Sequence, residues 1–445
     1  MINKILKKKF KFTLLLFFLI IGSIIFYNTF LKVFLGENRH FIKKYFFPYE
    51  HISKLENMVL EHYALDYYFK ISNKNITVGK MQSIKLSNNR ILDRYALLNG
   101  FHLGIYNSYP GSGFIDFHRE NLIILSSRGV LGYSDDFVNQ LIFKQIPNNI
   151  DQFIGVKEFL KTRAFSVKDL LIHNKKIYVS YNEEIKNDCW NTSLIVAEFN
   201  YENIEFQKLF SAQDCIHEYL NRDKEFHPHS AGGRIVSIDS ENVVLSIGEY
   251  RERYLAQEKL SVNGKLVKIN INNSTYEIIS MGHRNPQGLY YDKDNDFIIA
   301  TEHGPMGGDE INLIKINHKY QEKILNYGWP IVSAGEHYGG KISKNKKKYE
   351  LYPLYKSHIE HGFIPPLKSF VPSIGISEIN KIKNNKYVVS SLKDKSLYFF
   401  ELSENKEIIN IKRVEVFERI RDLKFKDDKL YFFLEDTPSI GIIYF

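Results

Sequence analysis

From about residue 112 onward the chain repeats one phrase: an alternating apolar and polar run, a polar turn, then a second apolar run. Alternation at period two places apolar side chains on one face of a strand, and Asn, Asp, Lys or Glu between two such runs marks a hairpin turn. Five copies are plain: DLLIHNKKIYVSY from Asp169, RIVSIDSENVVLSIGEY from Arg234, GLYYDKDNDFIIATEHG from Gly288, INKIKNNKYVVSSLKDK from Ile379 and DLKFKDDKLYFFLED from Asp422. A weaker sixth, GFIDFHRENLIILSS, begins at Gly113. Another strand pair usually follows, such as KLVKININN with TYEIIS, giving about four strands per unit. Six such units predict an all-β, six-bladed β-propeller over residues 111–445. The acidic run from Asp292 to Asp296 falls between two strands, so it is expected as a hairpin turn and not as a calcium loop.

The N-terminus follows another pattern. Lys4 to Lys11 precede an uncharged, mostly Leu, Ile and Phe run from Phe12 to Leu31, long enough as a helix to cross about 30 Å of hydrocarbon. Residues 1–36 are therefore expected to form a transmembrane signal anchor, with the lysines cytoplasmic and the propeller extracytoplasmic, in the periplasm. Gly22 and Ser23 leave room for cleavage, but no clear small-x-small site follows them, and an uncleaved anchor is favoured. Residues 37–110 mix helical and irregular patterns and are expected as a lead-in packing on the propeller.

Charge then excludes one class of partner. Of the formal +9, a surplus of seven lies in the first fifty residues, leaving two for the rest. A nucleic-acid-binding face is not expected. The two cysteines flank strand-like runs at 193–200 and 204–210 around a turn at 201–203, and Cys189 and Cys215 have the index sum of facing positions in that hairpin. A disulfide is expected in an exported domain.

In a propeller, residues at the ends of the inner strands converge on one mouth of the central channel. That logic gathers His229, Glu249, Arg284, Asn285, His303, Gly304, Pro305, Lys393, Arg419 and Arg421. Four cations around one mouth repel each other without an anion, and arginine forks suit carboxylates. The expected ligand therefore carries several carboxylates.

The segment from Gly282 to Pro330 packs GHRNPQG, TEHGPMGGDEINLI and NYGWP into one stretch, with PSIG before SSLKDKSL and RIRD further on. In this order the blocks resemble the pyrroloquinoline-quinone-dependent glucose/sorbosone and aldose-sugar dehydrogenase family of six-bladed propellers, over about residues 160–440. The resemblance implies a quinoprotein that oxidises an aldose or related alcohol, passing electrons to a membrane quinone or a soluble carrier. It implies that Arg284, Asn285, Lys393, Arg419 and Arg421, with His303 beside them, contact the quinone cofactor. The carbonyls of Gly304 and Pro305 would hold calcium, His229 would act as the base, and Glu249 would orient it. Three departures stand out. RAFSVKDL replaces a Gln-Gly-Gly-Leu-Leu-Asp block, keeping Asp169 and leaving Arg163 as the candidate for the lost Gln. HSAGGR is one residue longer between His229 and Arg234, which makes His227 a competing base only if the loop bulges the other way, and Glu249 stands for the usual Asp. These departures leave an alternative: a propeller without redox activity that binds ligand or acts as a calcium-dependent hydrolase. Asp309 and Glu310 are expected either to hold a structural calcium or to cap a turn. An insert from Ala334 to Pro366 is expected to shape the substrate pocket, with Tyr338, Tyr352 and Tyr355 as candidate sugar platforms.

Overall fold

A computed structural model of the chain describes residues 75–76, 78–97, 100–102, 111–134, 142–316 and 324–445. The run from Phe12 to Leu31 lies outside them; among the described residues no helix is long and apolar enough to cross a membrane. Six sheets of four or five strands form the body. Their innermost strands are Gly113–His118, Val167–His173, Gly232–Ser237, Pro286–Asp292, Ile376–Lys383 and Ile420–Lys426, and each packs on the next, the last on the first. This is a six-bladed propeller, and the six repeated phrases supply the two inner strands of every blade. The run at Asp292 is a hairpin turn, with Asp292 opposite Phe297.

Apolar alternation glues the ring. Between the first and second blades, Ile123 and Leu125 meet Leu170 and Val179, and between the fourth and fifth, Phe297 and Ile299 meet Ile379 and Val389. Clusters of the same kind fill the other four gaps, including sixth to first, where Phe433 and Ile442 pack with Ile115 and Leu122. Each such side chain, once buried, stabilises by about 1.5–3 kcal/mol.

Residues 82–97, inside the segment expected to be a lead-in, take part in the ring itself. Ser439–Tyr444 of the sixth blade pairs with Ile91–Ala96, which pairs in turn with Gln82–Lys85. Asn75–Ile76 likewise pairs with Phe143–Ile146 at the edge of the first blade. In the second blade, Cys189 and Cys215 are joined with Cα atoms 5.3 Å apart. Leu194 lies opposite Phe210 as expected, and the register then shifts by one residue toward the turn, with Ile195 opposite Lys208.

Five inner strands break register near their first residues: between Val167 and Asp169, Gly232 and Ile235, Pro286 and Gly288, Ile376 and Ile379, and Ile420 and Asp422. A bulge inserts an extra residue, bends the strand and re-aims a side chain. Here the repeated bulge turns Lys168, Arg234, Gln287 and Arg421 toward the channel mouth. The added residue of HSAGGR is taken up the same way, by Gly232 and Gly233 at φ of 64° and 107°, a region that L side chains avoid.

Arg234 ties the blades together across the channel. Its Nη1 lies 2.9 Å from Asp169, 3.0 Å from Glu378 and 3.1 Å from Asp422, while Nη2 donates to Arg421 O and Nε to Gln287 O. Burial pushes Glu378 up to about 8 even against the pull of Arg234. Lys424 adds a half-buried cation beside these carboxylates.

Candidate active site

At the mouth lies an open cavity of about 170 Å³ reached by residues of all six blades. Seven basic side chains line it, Lys168, Arg234, Arg251, Arg284, Lys393, Arg419 and Arg421, and no Asp or Glu does. His227, His229, His303, Asn285, Gln287 and Tyr338 complete its polar wall. The structure thus gathers every expected cofactor-contacting residue into one place.

Most of them are held by identifiable bonds. Glu435 is buried and bridges two arginines, its Oε2 accepting from Arg419 Nε at 3.0 Å and its Oε1 from Arg421 Nε at 2.7 Å. Arg421 also donates to Gln287 Oε1 at 3.1 Å. Asn285 Oδ1 accepts from the backbone N–H of Gly232 at 3.0 Å, fastening the RNPQG turn to the histidine loop. Arg284 Nη1 donates to the carbonyls of His303 and Gly304 at 2.8 and 2.7 Å. The EHGP turn folds so tightly that a Cβ on Gly304 would meet Gly308 O at 1.8 Å. Asp309 fixes that turn, accepting from Gly304 N–H and Ile376 N–H. Glu310 is buried beneath it, pushed well up by burial and by the charge of Glu302.

The histidines share one electrostatic state. His227 and His229 face each other with ring centres 4.9 Å apart. Burial, reinforced by Arg251 and Arg284, holds His227 down to about 3. Burial, then Lys168 and the neighbouring His227, keeps His229 well below its ordinary range. Burial also lowers His303 to about 4, with Asp309 opposing and Arg421 and Arg284 assisting. All three rings are neutral at pH 7, the form in which a histidine accepts a proton.

Glu249 sits elsewhere than expected. It does not line the cavity. Its backbone N–H donates to Arg284 O at 3.0 Å, and its fully buried carboxylate is pushed up by burial while Arg284, Arg253 and Arg251 pull it down. Its electrostatic neighbours are these arginines. His229 takes its field from Lys168 and His227 instead.

Lys168 and Arg251 are cavity residues that sequence reasoning passed over. Lys168 lines the cavity and Arg163 does not, with Lys168 Nζ donating to Ala164 O at 2.9 Å and Pro228 O at 3.3 Å. Burial, aided by Arg421 and Arg128, lowers its amine well below the usual lysine range. The signal lay one residue before Asp169, hidden by the bulge that inverts strand parity there. Of the insert's tyrosines, Tyr338 lines the cavity. Tyr352 is buried against Asp223, and Tyr355 stacks on His361.

The donor set fits an anionic quinone with a calcium ion. A tricarboxylate matches a wall of cations without a lining acid. Gly304 and Pro305 do not themselves line the cavity; their carbonyls lie behind His303 and accept from Arg284 Nη1 and Ser373 Oγ, and carbonyl oxygens are the kind of group that ligates calcium.

Comparison with known proteins agrees with this geometry. An uncharacterised Synechocystis protein is 28% identical over 322 residues, 64% of this chain and 72% of its own. Aldose sugar dehydrogenase YliI of Escherichia coli (strain K12) is 29% identical over 231 residues, 47% of this chain and 57% of its own. The PQQ-bound aldose sugar dehydrogenase of Streptomyces coelicolor superimposes with a TM-score of 0.55 at 16% identity, over 84% of this chain and 99% of that one. The sequence profile described as Glucose / Sorbosone dehydrogenase matches residues 166–443, and with the cavity it covers, this chain belongs to the glucose/sorbosone dehydrogenase family.

Proposed function

We propose that the protein is a quinoprotein dehydrogenase that oxidises an aldose sugar or related alcohol, using pyrroloquinoline quinone and calcium. One observation carries the reading: seven basic side chains and no carboxylate line a cavity reached from all six blades. Arg284, Asn285, Lys393, Arg419 and Arg421 would hold the cofactor's carboxylates and oxygens, and the carbonyls of Gly304 and Pro305 would hold the ion. When bound, the quinone supplies a hydride acceptor and the calcium a Lewis acid that polarises it. The chain's own residues do the rest. His229, neutral and facing the cavity, takes the proton from the sugar hydroxyl. His227 and Lys168 set its field, and Asn285 fixes its loop through Gly232. Glu249 steadies Arg284 from beneath and acts on the base only through it.

The reading extends to location: an anchor at residues 1–36 would tether the propeller on the extracytoplasmic face, near a membrane quinone or a soluble carrier as electron acceptor. Protease treatment of intact cells, with cleavage of the propeller only after the outer barrier is opened, tests this arrangement. The enzymatic reading is tested by mixing the purified protein with the quinone and calcium, desalting, and assaying a sugar and alcohol panel with an artificial acceptor. Cofactor absorbance should persist through desalting; its loss sinks the reading. His229→Ala should abolish turnover and keep the absorbance.

A further inference from the structure

The rim of the cavity carries a surface that the sugar chemistry does not use. Met306, Tyr338, Ile342 and Val371 are exposed at 48, 52, 52 and 66%, and they are neighbours. Met306 and Glu336 exchange both backbone hydrogen bonds at 2.9 Å, and the Met306 methyl lies 3.9 Å from where a Cβ on Gly340 would sit. In the same way Ile342 Cδ1 lies 3.6 Å from a Cβ on Gly339, and Val371 Cγ1 lies 3.5 Å from one on Gly307. Tyr338 lines the cavity itself. Contiguous apolar side chains beside an opening mark a surface that another body covers.

The insert bearing this surface is fixed from beneath. Asn345 Nδ2 donates to the carbonyls of Tyr338 and Gly340 at 3.0 and 2.7 Å. The Tyr349 hydroxyl donates to Glu336 at 2.5 Å and accepts from His337 N–H at 3.2 Å. With those groups turned inward, Lys341, Lys344, Lys346 and Lys347 are left exposed around Ile342. Among the described residues these four have no salt bridge, whereas Lys348 and Lys356 are engaged by Glu225 and Glu336. Glu350 is the one acid between 341 and 351.

An apolar centre with Met and Tyr inside a charged rim is the anatomy of a protein interface, and small ones serve brief electron-transfer encounters. A surface seated on a membrane would shut the opening by which sugar enters. A carrier that leaves after each transfer reopens it. Charge complementarity makes that carrier acidic.

We propose that this rim docks an acidic, one-electron carrier protein, whose carboxylates meet Lys341, Lys344, Lys346 and Lys347 and whose apolar centre meets Met306, Ile342 and Val371; this rests on the dehydrogenase reading above. Oxidising one alcohol to a carbonyl leaves two electrons and two protons in the site. Two carriers take one electron each in successive visits, and both protons pass to solvent.

The test uses a matched pair of probes: basic cytochrome c, and the same protein made acidic by succinylating its lysines. With the full chain loaded with quinone and calcium and supplied with a sugar from the panel above, the succinylated form should be reduced at least tenfold faster at low salt. The ratio should fall as salt rises. The triple variant Lys344→Glu, Lys346→Glu, Lys347→Glu should lose at least tenfold in that rate, and Ile342→Ser with Val371→Ser should also slow it. A control triple, Lys383→Glu, Lys386→Glu, Lys406→Glu, makes the same change of net charge at the ends of the fifth-blade strands away from Gly375 and Lys393 of the cavity. It should lose less than twofold. A small dye acceptor enters the cavity directly and should report equal turnover in every variant, which also shows that each is folded.

Binding is read apart from turnover, by calorimetry of succinylated cytochrome c on the cofactor-free full chain. Its Kd should rise at least tenfold in the Lys344, Lys346, Lys347 variant and stay unchanged in the control. Equal reduction of the two cytochromes, or equal losses in the two triple variants, overturns the docking site while dye turnover keeps the dehydrogenase reading. So does shielding of Lys344, Lys346 and Lys347 from an amine reagent in phosphatidylglycerol vesicles but not in phosphatidylcholine, which assigns the surface to a membrane. Absence of dye turnover overturns the parent reading, and the carrier's role with it.

Discussion

Arg234 and Arg251 line the same cavity and have opposite surroundings. Arg234 is enclosed by three carboxylates and two backbone carbonyls, drawn from four blades. Arg251 has an aromatic ring beneath it, a like-charged Arg284 nearby and a buried Nε with no acceptor. Burial lowers the pKa of Arg251, and the charge of Arg284 adds to that shift. The first arginine closes a network and contributes to the fold; the second has, among the described residues, no carboxylate at salt-bridge distance and feels an opposite charge only through the field of buried Glu249. Counting cations at a channel mouth therefore overstates a ligand's charge, and the inventory of partners corrects it.

The largest effect should come from removing the enclosed arginine. Arg234→Met strands three buried carboxylates, and urea unfolding should register a loss of about 3–5 kcal/mol. A loss no greater than that of Arg251→Met would erase the distinction. Next comes the ligand: at a hundredfold excess over its Kd, the quinone with calcium should stabilise the wild type by about 2.7 kcal/mol, and Arg284→Ala should reduce that gain by weakening the affinity. Thermal unfolding with and without cofactor measures both.

Acid sharpens the contrast from another side. His227 and His303 have folded pKa values of about 3 and 4, below the ordinary 6.5. Their neutral burial supports the fold fully above 6.5, and that support is lost as pH falls toward 4, because the unfolded chain takes up the protons first. The slope should approach about 1.4 kcal/mol per pH unit for each such histidine. Subtracting the unfolding curves of His227→Asn from the wild type between pH 7.5 and 4.5 isolates one of them. The smallest effect belongs to Arg251→Gly, which relieves a left-handed residue and should raise stability by about 1 kcal/mol. A clear destabilisation there would make Arg251 a structural residue like Arg234.

Much of this was legible in the chain. The inner hairpins announced themselves because alternation and turn residues are local signals, and the RNPQG and EHGP turns because glycine and proline fix their shapes. Strand 82–85 and strand 91–96 were not legible: they complete a sheet whose other members lie more than 300 residues away, and no local pattern encodes that pairing. Lys168 escaped because a bulge reverses the parity that alternation assumes. Arg251 escaped because its direction depends on a backbone conformation that Tyr and Arg seldom adopt. Glu249 was assigned because it stands where the resembled family has an Asp that orients the histidine, whereas here its backbone N–H bonds Arg284 O and its carboxylate does not line the cavity.

The pairing of Ile91–Ala96 with Ser439–Tyr444 also has a consequence in time. Contacts this distant in sequence form late, because the chain between them must be ordered first. Arg419 and Arg421 come from that last blade, so the cation wall is incomplete until the ends of the ring have met. During synthesis the earlier blades can assemble as each emerges, yet cofactor affinity should appear abruptly, at closure. Cofactor capture would then report the completed ring.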